Sequence, residues 1–208
     1  FRTSYPLVTY TIHTHTHYNT STPLLYRHRG IKAMKRKLCW DDKVEPRWVD
    51  REGVPLLFYS VLCNTENTVK EILQDIDDKS FKKRLPKSGF TSLGLTGGCT
   101  PLACAMTVAD VKIVVMLLEH GAEPFETDDT GNDPFAFACM FGRLDNAKFW
   151  LKRFPDWDIG RRNSIVGGFA ASHCVYMGPN RLDLIRFLLK QKNATPFSMC
   201  TYFVTLEA

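Results

Sequence analysis

The sequence predicts an all-helical (all-α) fold, a solenoid of antiparallel helix pairs joined by projecting turns, and three observations predict it. The phrase TPLACA at 100–105 returns as DPFAFA at 133–138, which sets Pro101 and Pro134 33 residues apart. The same offsets after each proline carry apolar residues: Val114, Leu117 and Leu118 after the first, Ala147, Trp150 and Leu151 after the second. Glycines fall where the chain has to turn, at Gly98, Gly121, Gly131 and Gly142.

From the start, residues 1–33 begin with Phe1 and contain YTIHTHTHYNT at 10–20. Alternation puts His13, His15 and His17 on one face of an extended strand, a geometry that suits Zn or Cu. No second ligand cluster accompanies them, and the segment has too few apolar residues to offset the entropy of its own ordering. Residues 1–33 are therefore expected to be a disordered leader or non-native upstream sequence, with Met34 as an alternative start. Residues 34–51 are expected to cap the N-terminal end, with Lys35, Arg36 and Lys37 as a solvated cluster.

A first helix pair is expected in EGVPLLFYSVLCNTENTVKEILQDI, from Pro55 and Leu56 to Val69, Ile72 and Leu73, with a turn one residue longer than in its neighbours. Pro55 and Pro101 are 46 residues apart, so 13 residues exceed the period, and this surplus near 78–94 is expected to project as a basic loop. In the second pair Thr100 can cap the first helix, and Pro101 at the first helical position loses no hydrogen bond. Ala103 and Ala105 allow neighbouring helices to approach; Val114, Leu117 and Leu118 form one apolar stripe; Gly121 ends the second helix. The third pair has Asp133 as its cap, keeps Gly142 between its helices and closes on Phe154-Pro155. In a fourth, VGGFAASHCVYMGPNRLDLIRFLLKQKNATPF, Gly168 replaces the proline and Leu188-Leu189 arrive four residues late. Residues 198–208 are expected to be a C-terminal cap or a truncated repeat.

The segment GGCTPLACAMTVADVKIVVMLLEHGAEP resembles the ankyrin repeat, whose signature runs Thr-Pro-Leu-His-x-Ala, helix, turn, then a second helix ending Leu-Leu-x-x-Gly-Ala. Gly98 matches the turn glycine, Thr100, Pro101 and Leu102 the helix opening, and Ala105 the small packing residue. Leu117 and Leu118 match the paired leucines, Gly121 and Ala122 the closing turn, while Gly131 and Pro134 repeat the pattern. Ala103 stands where histidine is usual, and Ala109-Asp110 where the family commonly has Gly-His. The resemblance covers about four degenerate repeats over residues 52–197. It implies a non-catalytic scaffold that binds an unidentified partner protein through its loop tips and the concave face of its first helices.

The tips so implied are Thr96 in one turn, Asp128, Thr130 and Asn132 in the next, and Arg161, Arg162 and Asn163 in the one after; the helix faces are Met106, Met140 and Phe141. One alternative is a regulatory ankyrin segment of a larger, truncated enzyme or channel. A weaker one is nucleic-acid binding through the insertion, where Lys79, Lys82, Lys83, Arg84 and Lys87 stand among Phe81, Leu85 and Phe90.

Composition narrows the classes. No apolar run reaches the roughly 18 residues of a membrane-spanning helix, since Ile113–Leu118 is broken by Glu119 and His120. The net charge of +5 is concentrated in the leader, which holds Arg2, Arg27, Arg29 and Lys32 and no acid; the rest carries 23 basic and 22 acidic residues. A near-neutral body argues against a nucleic-acid partner. The seven cysteines are odd in number and scattered, which fits reduced thiols in an intracellular protein, cytoplasmic or nuclear, with an organelle as the alternative suggested by the acid-free leader. A monomer is expected.

The chain has no phosphate-binding glycine loop, His-Glu-x-x-His, Cys-x-x-Cys or Gly-x-Ser-x-Gly. Cys99 and Cys104 lack a second pair, and His173-Cys174 are helical neighbours that do not face each other. Asp77-Asp78 and Asp128-Asp129 are expected to be solvated loop charges, and His120 a helix-end residue. No catalytic residue, metal site or cofactor is therefore assigned.

Overall fold

The computed structural model describes residues 49–50, 53–87, 95–161, 163 and 182–191. The leader, most of the 34–51 segment, residues 88–94, Arg162, the first half of the fourth unit with Gly168, His173 and Cys174, and residues 198–208 lie outside them.

Among the described residues the chain is helical and has no strand, only an isolated bridge between Val49 and Pro55. The helices are α1 (Leu56–Leu62), α2 (Glu66–Asp75), α3 (Asp78–Phe81), α4 (Pro101–Val108), α5 (Val111–Glu119), α6 (Pro134–Met140), α7 (Leu144–Arg153) and α8 (Leu182–Leu189). α1 packs on α2, α4 on α5 and α6 on α7, while α1, α4 and α6 stack as one layer and α2, α5, α7 and α8 as another. This is a helical solenoid, as stacked repeats require.

The inner layer is nearly continuous in its burial. Pro101 through Thr107 and Pro134 through Cys139 are all buried: α4 lies between α1, α6 and its own second helix α5, and α6 packs on α4 and its own second helix α7. The second helices are amphipathic instead: Val114 and Leu117 are fully enclosed while Lys112 and Glu119 face solvent. Thr100 Oγ1 accepts from the Ala103 N–H at 3.1 Å, and Asp133 Oδ1 from the Ala136 N–H at 2.7 Å. Each cap satisfies one of the orphan donors at a helix start, worth about 1 kcal/mol. Pro55 differs, standing before α1 as its N-cap residue with no side-chain hydrogen bond.

The turns within the pairs are built in two ways. Asn64 (φ 54°) and Gly142 (φ 65°) turn through left-handed backbone, the first of them without glycine. Between α4 and α5 the chain passes through extended Ala109 (φ −78°, ψ 160°). That leaves the Ala109 carbonyl facing the next unit, where it accepts from Arg143 Nη2 at 2.8 Å and Asn146 Nδ2 at 3.1 Å. Asp110 in turn receives the Asn64 amide at 2.6 Å, so these turns are hydrogen-bonded from unit to unit.

The expected projecting loop is corrected over residues 78–87. Phe81 and Leu85 are buried in the core, while Asp77, exposed as expected of a solvated charge, also caps α3 by accepting from the Ser80 N–H at 2.8 Å. Leu85 exchanges backbone hydrogen bonds with the next unit, Leu85 N–H to Cys99 O at 3.0 Å and Gly98 N–H to Leu85 O at 2.9 Å. Burying two such side chains contributes about 2–3 kcal/mol each, enough to draw this half of the surplus onto the stack. Phe81 also meets His120 edge-on at 4.7 Å, at the C-terminal end of α5.

Gly98 (φ 72°) and Gly131 (φ 81°) hold the same turn position one period apart. A Cβ on Gly98 would lie 2.2 Å from Asp129 Oδ1, whereas one on Gly121 (φ 95°) would meet nothing within 4 Å. Gly121→Ala should therefore cost about the 1–2 kcal/mol of a left-handed alanine, and Gly98→Ala distinctly more. Urea unfolding of both variants checks this, and equal losses would count against the close Gly98–Asp129 packing.

Candidate interaction surface

The turn between α5 and α6 organises the loop-tip edge, and its centre is a buried carboxylate. Asp128 is only 4% exposed. Its Oδ1 accepts from the backbone N–H of Thr130 at 3.0 Å and of Asn132 at 2.7 Å, and the Thr130 hydroxyl donates to the same carboxylate. The Thr96 hydroxyl, from the preceding unit, donates to Asp128 Oδ2 in a short hydrogen bond. Asp128 N–H to Asn132 O at 3.0 Å and Gly131 N–H to Asp128 O at 3.0 Å close the loop. Charged acceptors with several donors form the stronger hydrogen bonds of a fold, so this turn is held from inside.

Neighbouring units are laced to it. Asp129 N–H donates to Gly97 O at 3.0 Å on one side. On the other, Asn163 Nδ2 reaches Thr130 O at 3.0 Å and Asn132 Oδ1 at 2.7 Å. Arg84, from the insertion, donates to Thr127 O at 2.8 Å and pairs with Glu126 at 3.0 Å.

These facts redistribute the residues assigned from sequence. Met106 has no exposed surface and is corrected from an outward face to the core. Asp128, expected to be a solvated tip charge, is buried in the turn, and Asn132 is buried beside it. Thr96 and Asn163 are half-buried and engaged in the lacing; Thr130, Met140 and Phe141 are half-buried; Arg161 is exposed; Arg162 lies outside the described residues. In the insertion Lys79, Lys82 and Lys87 are exposed and Lys83 half-buried, with Lys82 3.6 Å from Asp78. Asp129, expected to be a solvated loop charge, is exposed at the tip; the sequence reading missed an aromatic cluster in which Phe154 and Trp157 pack on Trp150 and Phe125 stacks on Trp157. The density of aromatics between Phe149 and Trp157 was the available signal.

Cys99 and Cys104 are buried thiols. Burial first, and then the Asp128 charge, pushes the Cys99 thiol far up; burial first, and then Cys99, does the same to Cys104. Neither supplies a thiolate near neutral pH, so neither offers nucleophilic chemistry. Among the described residues no group of three His, Cys, Asp or Glu is placed to hold a metal, and no helix is long and apolar enough to cross a membrane.

The match to known proteins falls on this part of the chain. Residues 102–149 match the family model of ankyrin repeats (many copies), a span running from the start of α4 to just past the middle of α7. These two helix pairs are thus an ankyrin-repeat segment, the class whose repeats generally mediate protein–protein interaction. No curated protein matches the chain.

Asp133 is the buried cap where the preceding unit has threonine. Burial raises its pKa above the ordinary 3.8, partly offset by the Ala136 N–H and the Arg161 charge. A carboxyl whose pKa rises on folding binds more protons in the native state, so its contribution to stability falls as pH rises above 3.8. Asp133→Asn keeps an acceptor for the Ala136 N–H and removes the buried charge. Its urea midpoint should exceed wild type at pH 7, with the advantage shrinking toward pH 4; a pH-independent difference would contradict the assignment.

Proposed function

We propose that the chain is a non-catalytic protein-binding module, monomeric by itself, built of antiparallel helix pairs whose turns project toward a partner. The observation that carries this reading is the buried Asp128 within the ankyrin-repeat segment: four donors hold its carboxylate, and the turn so fixed presents Asp129 and Thr130 at its tip. A turn already ordered in the free protein loses little conformational freedom on binding, which favours affinity. Asp129 and Thr130 with the half-buried Met140 and Phe141 form the candidate contact surface, and the residues beneath them position it. The insertion is less suited to a phosphate backbone, because Arg84 is spent on Glu126 and Thr127 and Lys82 lies beside Asp78.

Affinity capture with the full chain and with Asp129→Arg, at the exposed tip residue, compares the tip with the rest of the surface. Loss of a central contact weakens recovery about 10-fold or more, with the urea midpoint close to wild type. Equal recovery of the same partner by both proteins would reject the tip as the contact surface.

A further inference from the structure

Outside the tips, one cleft combines exposed aromatic surface with charge. It has a volume of about 330 Å³ and is lined by Phe125, Phe154, Pro155 and Trp157 together with Arg153, Arg161, Asp156 and Asp158. Phe125 is 60% exposed, yet its ring lies flat on Trp157 (centroids 5.0 Å, 15° between planes). Trp157 is in turn set edge-on against buried Trp150 at 5.2 Å. The exposed ring is therefore fixed by a column of rings rooted in the core. A guanidinium group lies on each of two rings of the cleft: Arg161 is 5.9 Å from the Phe125 centroid and Arg153 5.3 Å from that of Phe154.

Neither arginine forms an ion pair among the described residues, although both side chains are exposed. Of the two acids on the rim, Asp158 is turned onto the N–H of Gly160 at 2.9 Å and so serves its own turn. A guanidinium held against a ring keeps its in-plane N–H donors available for a carboxylate. Such an arrangement offers an apolar seat beside two guanidinium groups, of which Arg161 also acts on buried Asp133 and neither has an ion-pair partner among the described residues.

We propose that this cleft is a second docking site, for a partner segment that carries an aromatic or large aliphatic side chain beside one or more carboxylates. The side chain packs on Phe125 and Trp157, and the carboxylates pair with Arg153 and Arg161. The assignment rests on the protein-binding reading, but it concerns a surface separate from the Asp129–Thr130 tip.

The test is panning of a phage-displayed random dodecapeptide library on the full chain, followed by binding of the enriched peptides to Phe125→Ala and to Arg153→Glu/Arg161→Glu. Far-UV circular dichroism checks that both variants keep the helical fold. Enriched peptides should pair an aromatic or large aliphatic residue with Asp or Glu and should lose about 10-fold in affinity on Phe125→Ala. On the charge-reversed variant they should weaken similarly, and replacing their acids by lysine should restore binding. Peptides that bind the variants as well as wild type would overturn the cleft while leaving a protein-binding module intact. Enrichment of no peptide at all would count against both.

Discussion

The Asp128 carboxylate is the constraint on which the loop-tip edge depends. A charge taken out of water is tolerable only where donors replace the lost hydration. Here backbone N–H groups from its own turn and a hydroxyl from the preceding unit do so. Those bonds fix the course of residues 126–133, and that course sets Asn132 and Thr130 to meet Asn163 and sets Asp129 over the Gly97-Gly98 backbone. Helix burial supplies most of the cohesion, but apolar contact is non-directional. The polar turn contributes the directional part.

The opposite ends of the helix pairs are tied by a different means. Asn64, Asp110 and Arg143 stand in successive turns and contact one another in order, with Arg143 3.7 Å from Asp110. Lys112 and Glu66 add an exposed pair at 3.2 Å. Exposed pairs contribute little by themselves. The stronger element is the Ala109 carbonyl, shared by Arg143 and buried Asn146. The extended backbone at Ala109, in place of a left-handed turn, is what makes that carbonyl available to the next unit.

The repeat was legible because its determinants are local: Thr100 and Asp133 as caps, Pro101 and Pro134 at helix starts, Gly98 and Gly131 at turns. The contact surface was less legible, because exposure depends on what the neighbouring unit covers. The period itself held unused information. Asp128 falls 33 residues after buried Leu95, and Met106 falls 33 before buried Cys139, so each occupies an interior slot of its unit. A polar residue in an apolar slot marks a hydrogen-bonded centre, whereas the same residue read alone resembles a solvated turn charge. The docking of Phe81 and Leu85 had no periodic signal, since it lies in the surplus between two units.

Placing leucine in the Asp128 slot, as the preceding unit has at Leu95, separates the hydrogen-bonded centre from simple burial. If the carboxylate organises the turn, Asp128→Leu leaves the Thr130 and Asn132 N–H groups and the Thr96 hydroxyl without their acceptor, at about 1–3 kcal/mol for each buried donor. Urea unfolding should then show a loss of about 3 kcal/mol or more relative to wild type. Stability within about 0.5 kcal/mol of wild type would show that the slot asks only for a buried side chain, and would contradict the account.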